Sequence, residues 1–182
     1  MQNNKELEHQ KAERTVIDGL WNIHVTSDSY GSRQQYYAHM FEQYKLYVES
    51  ADRISARRNT ANTFFLTLHT IFLTGSGFAL ASRNTLQSLN DWVIFFTLIP
   101  VIVLCYVWWR LIKSYRQLNT AKYRVIGEYE RRLPTSPYWS AEWAALGKGE
   151  DPKLYLPLTH IENYIPLAFA LLYVIGAIGL IL

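Results

Sequence analysis

His69 is the one ionisable side chain well inside an apolar stretch of this 182-residue chain, LTLHTIFLTGSGFAL, and Thr67, Thr70 and Thr74 stand near it in sequence. An imidazole titrates near neutrality, so with neighbouring hydroxyls it can line a pH-sensitive path for protons or small solutes. The same residue can instead remain neutral and hydrogen-bond across a pair of packed helices. Both readings stay open. A second polar group interrupts an otherwise apolar helical stripe at Asn119 and Lys122. A lysine in a helical seam calls for a carboxylate, and Asp52 is the expected partner. The basic clusters Arg53, Arg57, Arg58 and Arg110, Lys113, Arg116 are expected to face anionic lipid headgroups.

Other chemistry finds few residues to carry it. The five histidines, His9, His24, His39, His69 and His160, are scattered without metal-ligand spacing, and no Ser/His/Asp or Cys/His arrangement appears. GKGEDP, Gly147 to Pro152, lacks the full phosphate-loop spacing and reads as a turn. We therefore expect no catalysis, no metal and no cofactor. A net charge of +3 is small, and topology explains it, so nucleic acid is not an expected partner.

The elements that position these residues are helices. Three stretches lack Asp, Glu, Lys and Arg: Asn59 to Ser82, Trp92 to Trp109 and Asn163 to Leu182. At about 1.5 Å per residue each matches a hydrocarbon core of about 30 Å. The expected organisation is a cytoplasmic amino-terminal arm (1–30), an amphipathic helix (31–59), a first transmembrane helix (60–82) and a short outer loop (83–91). A second transmembrane helix (92–110), a second amphipathic helix (111–134), an interfacial connector (135–159) and a third transmembrane helix (160–182) follow. The fold class expected is thus an all-α membrane protein whose first two transmembrane helices extend into a cytoplasmic antiparallel hairpin.

Orientation follows the basic residues. Eight of the eighteen precede the first span, nine lie between the second and third, and only Arg83 falls in the connection between. This puts the amino terminus in the cytoplasm and the carboxy terminus in the periplasm. The polar start, MQNNKELEHQKAER, has no apolar segment behind it, so no cleavable signal peptide is expected. The single cysteine, Cys105, permits no internal disulfide.

Beyond Trp109 the helical beat persists: Leu111, Ile112, Tyr115, Leu118, Val125, Ile126, Tyr129 and Leu133 share one face, and Pro134 stops the helix. Tyr37, Phe41, Tyr44, Val48 and Ala51 form a matching heptad-like stripe. Pairing residue 60 with 110 sets Phe41 against Tyr129, Tyr44 against Ile126 and Val48 opposite Lys122. Both faces are wider than one seam buries, which predicts contacts with further copies of the chain. Ser29 or Ser32 is the expected cap of the first long helix, and Thr15 to Tyr30 is ambiguous between helix and strand. Ser140 to Leu146 reads as a short helix ended by Gly147. Thr159 to Glu162 fits a capping box that opens the third span.

SYRQLNTAKYRVIGEYERRLP, followed by SAEWAALGKGEDPKLYLPLTHIE, resembles the RipA-like family of small bacterial inner-membrane proteins described as octameric. The resemblance implies a ring-like homo-oligomer in a bacterial inner membrane and no particular reaction. In build alone the chain is also similar to two-span effectors of antiphage systems that perforate membranes, from which the third span departs. The function expected is an oligomeric scaffold or organising protein. The alternative is a pore gated through the cytoplasmic helices.

Overall fold

The computed structural model describes residues 14–81 and 91–181. Residues 1–13 of the amino-terminal arm, the connection at 82–90 and the side chains of Thr159 and His160 lie outside the described residues, and the expected loop and capping box with them. Two long helices dominate: α1, Arg33–Ala81, of 49 residues, and α2, Asp91–Glu130, of 40. The Ser32 hydroxyl accepts the Gln35 N–H at 3.1 Å, so Ser32 caps α1. Residues 14–20 are helical, which resolves the ambiguous arm. Helix α2 carries Pro100 in its interior and ends at Glu130, four residues short of the expected 134. There the Arg132 and Leu133 amides reach back only three residues, to Tyr129 and Glu130 at 3.0 and 3.2 Å. The turn tightens before Pro134, which disfavours helical angles in the residue preceding it.

A π-helical turn, Pro137–Glu142, and an α-helical turn, Trp143–Ala145, come next. Gly147, Lys148 and Gly149 then take positive φ values of 61°, 54° and 71°. Two of the three positions are glycine, the residue for which this conformation carries least strain, and the chain turns there as expected. Helices α3, Leu158–Glu162, and α4, Tyr164–Ile181, complete the chain. Among the described residues there is no strand.

The chain divides into two compact units, and α1 and α2 contribute to both. The first unit takes residues 1–54 and 117–156. Its core holds Met40, Tyr44, Ala51, Ile126 and Tyr129, with Leu20, Trp21, Tyr47 and Val48 packed against it. The stripes read from the sequence supply this core, and cross-helix pairs run in opposite chain directions: Gln43 with Tyr129, Tyr44 with Glu130, Ser50 with Lys122. The register differs in detail. Tyr44 shares the core with Ile126, but its hydroxyl goes one turn further, to Glu130. Phe41 is 46% exposed and stacks on Tyr44 instead of meeting Tyr129.

The second unit takes residues 55–116 and 157–182. Phe65, Trp108 and Ile112 are buried at its centre, against Leu104, Leu111, Ile165 and Phe169. Among the described residues one helix, Phe96–Glu130, is long and apolar enough to cross a membrane, and Tyr164–Gly179 is a shorter apolar helix. The corresponding part of α1 is diluted by Thr, Ser and Asn and by His69.

Gly127 lies where the first unit packs most tightly. A Cβ there would stand 2.6 Å from Cδ2, 2.7 Å from Cε3 and 2.9 Å from Cγ of Trp139. The indole is not free to slide, because the Trp139 amide is bonded to Glu130 at 2.8 Å. Gly127→Ala gains about 1 kcal/mol of helix propensity, while overpacking costs about 1–3 kcal/mol. The net expectation is a lower thermal midpoint by circular dichroism. A midpoint at or above that of the parent would show that Trp139 does not pack against this glycine.

Candidate functional site

Two buried polar clusters bring several functional side chains together away from solvent. The first is built on Glu130, the last residue of α2, which is 2% exposed. One carboxylate oxygen accepts the Tyr44 hydroxyl at 3.0 Å and the Tyr138 amide at 3.2 Å. The other accepts the Ser136 hydroxyl at 2.9 Å and the Trp139 amide at 2.8 Å. A buried carboxylate demands such donors, since an unsatisfied charge is costly. These come from α1 and from the turn after Pro134, so one side chain ties together three segments that the sequence separates. With its acceptor sites filled, the group is a clasp. Burial first, and then the bond to Glu130, hold the Tyr44 phenol above its usual value near 10. Burial raises Tyr47 and Tyr129 as well.

The second cluster surrounds His69, which is fully buried. Tyr173 of α4 donates its single hydroxyl proton to the His69 carbonyl at 3.1 Å. That hydroxyl is therefore left to accept from His69 Nδ1–H, 3.0 Å away. Nε2 then presents its lone pair toward the Cys105 thiol at 3.8 Å. All three groups stay neutral in this arrangement, and each polar hydrogen has an acceptor. Trp108 stacks on the imidazole at 5.6 Å, with Phe169 at 5.2 Å. Two turns away along α1, Asn62 accepts the Trp108 indole N–H at 3.0 Å and donates to Glu162 at 3.1 Å. The second Glu162 oxygen stands 3.8 Å from Arg58 Nε. Glu162, expected to reach back to the start of its own helix, is thus engaged by α1.

The residues singled out from the sequence separate. Thr67, Thr70 and Thr74 are exposed, while His69 faces the interior. Thr70 and Thr74 donate to the Leu66 and Thr70 carbonyls, at 2.7 and 2.8 Å. The structure does not bring them to the imidazole. Within the chain Lys122 does not meet Asp52, which leaves only the pairing across an interface: its ammonium donates to Ser50 Oγ at 2.8 Å and lies 4.4 Å over the Tyr47 ring. Ser50 and Asp52 project about 200° apart around α1, so the face that meets Lys122 excludes the carboxylate. Asn119 is half-buried. Arg53 lies 3.7 Å from Glu49, Lys113 lies 4.4 Å over Trp109, and Arg57, Arg110 and Arg116 are exposed. Sequence reading missed Glu130, Asn62 and Tyr173; a carboxylate and an amide on otherwise apolar faces were the available signals. Among the described residues no three His, Cys, Asp or Glu side chains stand together as a metal site.

Replacing Glu130 by Gln keeps its shape but turns an amide donor toward donors. We expect Glu130→Gln to lower the unfolding midpoint more than Tyr44→Phe, which removes one bond to a charged group, worth about 1.5–3 kcal/mol. Equal or reversed effects would contradict the clasp. Because the folded-state phenol values are raised, their contribution is fully present below pH about 10 and is lost as pH rises above it. Unfolding midpoints between pH 9 and 11 should fall, and less steeply in Tyr44→Phe. Cys105, 3% exposed, should resist maleimide in the folded protein and react on denaturation, followed by mass. Rapid native labelling would show the His69 cluster to be open.

No curated protein and no solved structure matches the chain. One family model does, over residues 41–182, which include Glu130 with all its partners and the whole His69 cluster. The match covers well over half of the chain, and the chain belongs to the octameric membrane protein family (8xMP).

Proposed function

We propose that the protein is a non-catalytic scaffold of a bacterial inner membrane, assembled as a ring of about eight copies. Segments 60–82, 92–110 and 160–182 cross the bilayer, and 31–59 with 111–134 form an antiparallel hairpin on the cytoplasmic side. The observation that carries this reading is the outward apolar surface of every long helix of the second unit. Phe64 and Ile71 of α1, Phe96, Ile99 and Val103 of α2, and Leu171 and Ile175 of α4 are all exposed in the single chain. Such surface needs lipid or further copies to cover it. The family description, octameric and membrane, is in accord with both.

A second reading, a pore gated through the cytoplasmic helices, is favoured by one observation. Thr60, Thr63, Thr67, Thr70 and Thr74 recur at steps of three and four along α1 and are all exposed. In a ring, that stripe faces either a neighbouring copy or water. His69 belongs to neither, because its partners are within the chain.

The mass of the assembly in mild detergent tests the proposal. With a chain of 21.2 kDa, eight copies give about 170 kDa before bound lipid. A monomer at micromolar concentration would overturn the scaffold reading.

A further inference from the structure

On the outer face of α2, within the second unit, Tyr106, Val107, Arg110, Leu111 and Ser114 line an open-sided groove of about 440 Å³. Its chemistry is divided along the helix. Tyr106 and Val107 are 59% and 45% exposed and make an apolar lower wall. Arg110 and Ser114, one turn apart, supply a guanidinium and a hydroxyl at the upper end. Among the described residues no carboxylate pairs with Arg110. Lys113 folds over the Trp109 ring at 4.4 Å, which holds a second cation at the same level of the helix. Below the groove the apolar wall continues through exposed Val103 and Ile99, at helical spacing.

We infer that this groove binds one anionic phospholipid per chain, its phosphate on Arg110 and Ser114 and one acyl chain along Val107, Val103 and Ile99. The inference rests on the membrane reading above and adds the site and the headgroup class. Dimensions agree: from Arg110 to Ile99 the helix rises about 16 Å, roughly half the thickness of a hydrocarbon core. A planar guanidinium suits a phosphate through paired N–H donors, and a hydroxyl one turn further supplies another. Charge complementarity selects an anionic headgroup over a zwitterionic one. Continuity of the apolar wall selects a lipid over free phosphate.

The test uses the full-length oligomer in detergent, exchanged with phosphatidylglycerol or phosphatidylcholine and read by native mass spectrometry for lipids retained per chain. The proposal expects preferential retention of phosphatidylglycerol, unaffected by millimolar inorganic phosphate. Arg110→Gln should weaken it about fivefold or more, the scale of one basic residue at an anionic surface. Val107→Trp, which fills the groove without altering charge, should weaken it as well. Lys153→Gln, an exposed cation of the first unit outside both basic clusters, should leave it within about twofold. Equal retention of the two lipids, displacement by phosphate, or equal losses in Lys153→Gln and Arg110→Gln would overturn the site. Carbonate extraction of membranes from the same cells separates the two levels of argument. A chain that stays in the pellet but shows no preference rejects the groove alone. A chain released by carbonate rejects the membrane reading beneath it.

Discussion

A carboxylate removed from water must be given hydrogen-bond donors, and Glu130 receives four, two from backbone amides and two from hydroxyls. Much of the first unit follows from that requirement. The end of α2 is fixed where its last side chain turns inward. The segment after Pro134 is drawn back onto α2, close enough that only a glycine fits at 127 beneath Trp139. Helix α1 is held in register by the one phenol that reaches the carboxylate. Tyr129, beside Glu130 on α2, packs edge-on against Trp21, over whose ring Arg132 lies at 3.5 Å. The clasp and the aromatic core are therefore a single packing unit.

The second unit meets the same constraint without a central charge. His69, Tyr173 and Cys105 close a hydrogen-bonded set, beside which Trp108 stacks on Phe65 and packs at a tilt against Phe169. Glu162, the last residue of α3 and just before the apolar helix α4, shares Asn62 with the Trp108 indole. His69, Asn62 and the Trp108 indole find hydrogen-bond partners within the chain, a condition that a lipid environment imposes strictly. The helices can then present apolar faces outward while keeping their specific contacts inside.

Charge-free stretches and periodicity were enough to find the long helices, the core residues Tyr44, Ala51, Ile126 and Tyr129 and the turn at Gly147, and to narrow the cap to Ser29 or Ser32, of which Ser32 is used. Those features depend on neighbours in sequence or on a repeating face. The clasp was not legible, because the partners of Glu130 come from position 44 and from 136 to 139, and no local pattern links them. Asn62 was passed over because an uncharged residue does not interrupt an apolar stretch, although it lies on the same face as Phe65 and His69. Within the chain the pairing of Lys122 with Asp52 is missed by a difference of two residues: Ser50 lies on the facing side of α1 and Asp52 does not. The threonines near His69 were grouped with it by sequence distance, whereas helical geometry turns them outward.

The central claim is that intramembrane polar groups serve packing within each chain, so the assembly is sealed. Ion and small-dye flux through purified oligomers in liposomes, followed between pH 6 and 8 to bracket the usual histidine titration near about 6.5, tests it most directly. The account predicts no flux above that of protein-free vesicles at any pH in that range. A steady flux above that level from a still assembled oligomer would contradict it and establish the pore.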